Sequence, residues 1–429
     1  MKRRDLIKSL AIAGGLGALP FSTKSLTAAA SPDSRLLVSI QLTGGVDVTS
    51  FCDPKANVSG ELDINNWSNT KSIGQVGNLT YAPFGGNEQF FQKYVNDILV
   101  INGVDAQTNS HSVGVVNNWS GRNAEGLPTI TSLMAAATAP DLPLAYLNFG
   151  GFGHTQGIIR STRIDQVAPL RNIIYPNQPQ HNQSILYRRQ SDWDRIRALH
   201  DQNATAMAGE TSTTEGNRKN REFYLDAYSR AELIKAFGDL IPSASEFQAV
   251  RNIANNGNST LHRQIQLTML AFLSGVSISA DLIEYGYDTH DNHDQSHEPL
   301  LANSTDAIDY LWTYAEELGL ADRLVVLVGS DFGRTPNYNS GNGKDHWPIG
   351  SYMVMEKNAA YTNKVYGETD GGHNAYNIDP ATITRNDSSG ITIKPAHVHK
   401  AMRKYLGIED YANTQNFLFT GIEDFNFFG

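Results

Sequence analysis

The stretch Leu324-Val325-Val326-Leu327-Val328 is apolar at every position and stops at Gly329-Ser330-Asp331. A strand with one wet face alternates apolar and polar residues, so an unbroken apolar run has to be covered on both sides. Ahead of it lies a long helical stretch from about 298 to 318, and ahead of that a helix over about 260–275 leading into the short strand-like run 276–280. Helix and buried strand in alternation predict a three-layer α/β sandwich with a mostly parallel central sheet. Further strands are expected at 36–42, 98–102, 144–149 and 352–355, and further helices from Ser110 to about Trp119, over 129–139 and over 397–406. Residues 53–86 are rich in Asn, Gly and Ser and read as loops, while 160–260 turns polar and helical and reads as an inserted cap.

In such sheets ligands bind beyond the carboxyl ends of the strands. Asp47 follows the first strand through Gly44-Gly45, and three Asp/His turns follow later: Gly286-Tyr287-Asp288-Thr289-His290, Gly329-Ser330-Asp331-Phe332-Gly333-Arg334-Thr335 and Lys344-Asp345-His346-Trp347. Carboxylates and imidazoles gathered from separate loops are ligands for a divalent cation, with zinc, manganese, magnesium and calcium all in view. Ser110-His111 sits where a helix should begin; His111 serves equally as a ligand or as helix-start packing. Arg334 reads either as a fork for an anionic substrate or as a structural salt bridge. His293 and His297 read as surface residues or as supports behind the ligands.

The 429 residues suffice for one large domain, taken here as 31–429. A net charge of -10 and a pI near 5.6 exclude a phosphate-backbone partner, which needs clustered Lys and Arg. A lone cysteine, Cys52, excludes an internal disulfide and reads as a small buried residue. Residues 1–30 read as an export signal: Lys2-Arg3-Arg4 with Leu6-Ile7-Lys8 behind, then small uncharged residues, then Ala28-Ala29-Ala30. The paired arginines resemble a twin-arginine signal; the other reading is an ordinary secretory signal. Either places the mature chain in the periplasm or outside the cell, with no span of the membrane.

The order of Gly44-Gly45-Val46-Asp47, Ser110-His111, Gly286-Tyr287-Asp288-Thr289-His290, Ser330-Asp331-Phe332-Gly333-Arg334-Thr335 and Asp345-His346 resembles the bacterial family called domain of unknown function 1501, over nearly the whole mature chain. That family usually has Trp, Glu and Gly where this chain has Tyr287, Asp331 and Trp347. It looks in turn like a branch of the alkaline phosphatase and sulfatase superfamily. The resemblance implies one metal shared by Asp47 and Asp331, another held by Asp288, His290 and His346, and Ser110 as nucleophile, with Thr108, His111 and Ser112 as other groups able to face the metals. Phe332 departs from it, standing where the phosphatases carry a histidine. Two functions follow as expectations: a metal-dependent hydrolase of phosphate or sulfate esters, acting on an anionic ester or glycan, or a non-catalytic exported binding or assembly protein with a partner in the envelope.

Overall fold

The computed structural model describes residues 34–164, 174–178, 185–210, 214–241 and 260–429. The expected leader lies outside them, as does part of 160–260.

The chain begins with β1 (Leu36–Thr43), then a small hairpin of β2 (Gly74–Val76) and β3 (Leu79–Tyr81) inside the stretch expected to be loops, and α1 (Asn87–Tyr94). Next come β4 (Ile98–Asp105), α2 (His111–Ser120), α3 (Ile130–Thr138), β5 (Tyr146–Asn148) and β6 (Ser161–Arg163). The described part of the polar region holds α4 (Gln190–Gly209), α5 (Glu215–Ser229) and α6 (Ala231–Leu240). Then follow α7 (Thr260–Leu273), β7 (Ser279–Tyr285), α8 (His293–Glu317) and β8 (Leu324–Ser330). The chain closes with β9 (Gly333–Arg334), β10 (His346–Trp347), β11 (Ile349–Glu356), β12 (Lys364–Tyr366) and α9 (Pro395–Tyr405).

Eight strands form one sheet in the order β12-β4-β11-β8-β1-β7-β5-β6, and only β11 runs against its neighbours. This is the mostly parallel sheet expected from the unbroken apolar runs. β1 is central and buried along Leu36–Leu42, with α2 and α3 packed on it in one layer and α7, α8 and α1 packed together in the other. Burying its five leucine and isoleucine or valine side chains contributes roughly 1.5–3 kcal/mol each.

Two expected boundaries shift, each for a physical reason. The strand expected at 276–280 starts at Ser279 and runs on to Tyr285, because Asp281 and Glu284, 0% and 7% exposed, interrupt the apolar pattern inside a buried strand. α8 begins at His293 rather than 298. Its first amide donates to Asn342 O at 2.8 Å, a cap supplied by a distant loop that no local signal announces.

The parallel registers set the site. Thr43 lies opposite Tyr285 and Leu42 opposite Ser330, so the turns after β1, β7 and β8 leave the sheet together.

Candidate metal centre

After β1, Gly44 and Gly45 take positive φ, 120° and 88°, and direct both amides at Asp331 Oδ1, at 3.0 and 2.8 Å. A Cβ on Gly44 would meet Asp288 N at 2.3 Å, so this turn admits no side chain. The other oxygen of the buried Asp331, Oδ2, accepts from His111 Nδ1 at 2.5 Å. His111 opens α2, and Gly114 lets that helix close on the turn: a Cβ there would lie 2.4 Å from Asp331 O.

His111, His290 and His346 come from three loops and aim Nε2 at one oxygen, Asp288 Oδ1, at 3.3, 3.0 and 3.3 Å. Each ring is held from behind. Asp331 takes His111 Nδ1, Asp345 Oδ1 takes His290 Nδ1 at 2.7 Å, and Asn109 O takes His346 Nδ1 at 2.8 Å. Carboxylates and carbonyls only accept, so Nδ1 carries the proton in each neutral ring and Nε2 presents its lone pair. His290 and His346 thus face each other lone pair to lone pair across 2.9 Å, and His111 Nε2 is buried without a hydrogen-bond partner. With all three rings neutral such an array repels itself, and either an added proton or a metal ion within it relieves the repulsion.

The same array fits a metal ion. Imidazoles oriented through Nδ1 by carboxylates or carbonyls are how metal-bound histidines are held. The ligand atoms of His111, Asp288 and His346 lie within 4.8 Å of one another. Tetrahedral bonds of about 2.0–2.1 Å separate ligand atoms by about 3.4 Å, close to the 3.3 Å from Asp288 Oδ1 to His111 and His346. Phe332 is buried and packs against both rings, with centroids 4.7 and 4.6 Å away. It forms an apolar wall where the phosphatase pattern carries a histidine.

Charge follows the geometry. Partial burial opposes ionisation of Asp288, but Arg334 Nη2, 2.6 Å away, overcomes it and holds the carboxyl down at about 2. The Asp331 hydrogen bond raises the pKa of His111 against the effect of burial, and the His290 hydrogen bond lowers that of Asp345. Arg334 is fully buried. Besides Asp288 it donates to Gly45 O at 3.1 Å, to Lys344 O at 2.9 Å and to Gly44 O. Four of its five N–H donors are engaged inside the fold and the side chain is shielded from solvent, so it straps three loops together rather than presenting an open fork to a substrate.

Asp47 has a different setting. It is fully buried, and Oδ1 accepts from Thr49 N and Oγ1 at 3.0 and 2.6 Å while Oδ2 accepts from Lys344 Nζ at 2.7 Å and His293 Nε2 at 3.1 Å. Burial opposes its ionisation, and Lys344 and then His293 outweigh it, holding the carboxyl well below the usual range. The structure therefore separates Asp47 from Asp331 in role: one is neutralised by lysine, the other orients a histidine. His293 and His297 are not at the surface. Both are fully buried, and burial lowers the pKa of each. His297 Nε2 accepts from Asp47 N at 3.1 Å, and Thr289 Oγ1 links the Nδ1 atoms of the two rings, at 2.7 Å to His293 and 3.3 Å to His297.

Ser110 precedes His111 as the N-cap residue of α2, with its hydroxyl 3.1 Å from Ser112 Oγ rather than on the helix amides. Sequence reasoning names Lys344 and Asp345 within the third turn but gives them no role, and it misses the Asn109 carbonyl. The first two stand beside His346 in the chain and were legible as neighbours of a candidate ligand, whereas a backbone carbonyl leaves no residue-type signal.

The model of the family described as proteins of unknown function, DUF1501, matches residues 176–403. The chain belongs to that family. The DUF1501 match takes in the turns of Asp288, Asp331 and His346 and begins after Asp47 and Ser110-His111, a narrower span than the motif resemblance. No curated protein matches this DUF1501 chain. Among solved structures it is similar to a mutant TAB5 alkaline phosphatase with Mg bound in the M3 site (11% identity, 88% of this chain and 99% of that one, TM-score 0.32). It is also similar to the lipoteichoic acid synthase LtaP from Listeria monocytogenes (9%, 99% and 80%, 0.34). A third is BT4656 in complex with its substrate D-glucosamine-2-N,6-O-disulfate (9%, 89% and 78%, 0.34). Among the described residues no helix is long and apolar enough to cross a membrane.

Proposed function

We propose that this DUF1501 protein is a metal-dependent hydrolase of phosphate or sulfate esters, exported by the twin-arginine route and working in the periplasm or outside the cell. The observation that carries the chemistry is the convergence of three Nε2 lone pairs on Asp288, each fixed by an acceptor behind Nδ1. Three imidazoles and one carboxylate suit zinc or a similar transition metal better than magnesium or calcium, which prefer oxygen. His111, His290, His346 and Asp288 would hold it, and when bound it would supply a Lewis acid for the anionic ester group.

The chain's own part begins at Ser110, one residue from a ligand and at the start of α2, where free backbone N–H groups favour an anion. Ser110 is the candidate nucleophile, and its hydroxyl is not tied to the helix. Arg334 stabilises ionised Asp288 and takes no part in binding the ester. Phe332 keeps water from one side of His111 and His346.

A second reading keeps the fold and the ion but not the turnover, as a binding or assembly protein of the envelope. Arg334 and Phe332 favour it, since the first is withheld from any anion and the second replaces a polar group. Elemental analysis of the purified protein, followed by assays of the metal-loaded protein, His346→Ala and Ser110→Ala on a panel of phosphate and sulfate esters, decides. Turnover lost in both variants supports the hydrolase. Bound metal with no turnover moves the protein to the second reading, and metal retained in His346→Ala removes the proposed centre.

A further inference from the structure

Beside the proposed centre lies a second cation position that the chain fills by itself. Lys344 Nζ and the Asp47 carboxylate are both fully shielded from solvent. The ammonium has three N–H bonds and meets three oxygens: Asp47 Oδ2 at 2.7 Å, Asn65 Oδ1 at 2.9 Å and Thr49 Oγ1 at 3.3 Å. The ring of Tyr338 lies 5.0 Å away, offering its face to the charge. A carboxylate, an amide carbonyl and a hydroxyl form an oxygen donor set suited to a small cation. His293, through Nε2, closes the cage on the carboxylate. This cage shares chain with the centre: Thr289 lies between Asp288 and His290, and Lys344 lies two residues before His346.

We propose that the ammonium of Lys344 is a tethered internal cation filling the oxygen cage of Asp47, Thr49 and Asn65, so that of these two neighbouring positions only the adjoining centre takes an exogenous ion. The proposal rests on the one-centre reading above. It assigns Lys344 two tasks. It neutralises Asp47 without metal, and it fixes the loop that delivers His346, since its carbonyl also receives Arg334. An uncompensated carboxylate buried there would be strongly destabilising, and a tethered ammonium meets that need at any metal concentration.

Truncation provides the test. Lys344→Ala deletes atoms equivalent to n-propylammonium and leaves the carboxylate in an empty cage. The full chain carrying Lys344→Ala is to be purified with and without n-propylammonium, and its melting temperature and bound metal measured against wild type. The expected result is a saturable rise in melting temperature with n-propylammonium, none with n-propanol, and two equivalents of divalent ion where wild type binds one. A neutral pair, Asp47→Asn with Lys344→Met, should fold and bind one equivalent. If Lys344→Ala shows no response to propylammonium and stays at one equivalent, or fails to fold even with the amine or divalent ion present, the proposal is overturned. So it is if the neutral pair binds two. Wild type without any metal would remove the proposed centre, while the amine response would still decide the role of Lys344.

Discussion

Two polar clusters share the same two loops and differ in how their charges are met. At the rim, Asp288 is half exposed and faces three imidazole lone pairs and one guanidinium. Beneath it, Asp47 is fully buried, and its partners are donors: a lysine, a histidine N–H, a threonine hydroxyl and a backbone amide. The inner cluster is complete as it stands, with one anion, one cation and two neutral rings of consistent tautomer. The outer cluster has more acceptors than donors. That difference separates their proposed roles: the inner one holds the loops, and the outer one is the candidate for a cation from outside.

The comparison breaks most visibly if Asp47 is dispensable. Removing one member of a buried ion pair leaves the other charge stranded, so Asp47→Ala should destabilise the fold by about 3–5 kcal/mol, read as a loss in chemical denaturation. Adding Lys344→Met to it should recover most of that loss. Recovery in the double variant would show that the stranded ammonium, rather than lost packing, is the cause.

At the rim the expectation reverses. His346→Ala should leave the metal-free fold near its wild-type stability, because the residue is part exposed and the array is self-repelling without an ion. It should abolish the stabilisation that metal gives wild type, about 4 kcal/mol at a thousandfold excess over Kd. Thermal melts with and without zinc measure both arms. A His346→Ala protein that gains as much as wild type from zinc would place the ion elsewhere.

How much of this was legible beforehand differs between the same two regions. The sheet was readable because 36–42 and 324–328 are unbroken apolar runs, and a run of that kind has one environment available to it. The rim was readable in part because Asp288, His290 and His346 are ligand types in short turns, and carboxyl ends of parallel strands are where ligands sit. The inner cluster was not. His293 and His297 lie in a polar-looking stretch, His293-Asp294-Gln295-Ser296-His297, and their burial follows from a helix start capped by Asn342, fifty residues downstream. The lysine that neutralises Asp47 sits nearly three hundred residues away. Asp331 shows the same limit in miniature: its residue type announces a ligand, and only the structure shows its two oxygens taken by the Gly44 and Gly45 amides and by His111 Nδ1.

That last point can be sharpened by Asp331→Asn. The amide keeps the shape, but it has one acceptor oxygen where the native carboxylate uses two, one for the glycine amides and one for His111. Either the turn or the histidine loses its partner. Losing the carboxylate behind a ligating histidine should weaken metal binding about 10–100-fold, equivalent to about 1.4–2.8 kcal/mol, measured by competition with a chelating dye. An unchanged affinity would mean that His111 is not a ligand.

A third carboxylate, Asp281, has neither kind of compensation. It sits mid-strand in β7, fully buried, accepting from Thr131 Oγ1 and Tyr146 Oη at 2.5 Å each, with no cationic partner among the described residues. Burial raises its pKa to about 7 despite those hydrogen bonds. In the unfolded chain the group ionises near its ordinary value of about 3.9. Between those values the folded state holds a proton that the unfolded state has lost, so stability falls as pH rises from about 4 to about 7 and is level above. The slope contributed by this one group approaches 1.4 kcal/mol per pH unit. Asp281→Asn, whose amide stays neutral, should remove that component, and the difference between the two proteins' denaturation free energies across pH 4–7 isolates it from every other titration. Asp47 predicts the opposite sign, with stability lost on acidification as its low-pKa carboxylate is protonated. A buried carboxylate given a lysine and one left without are thus distinguishable by the direction in which pH moves the fold.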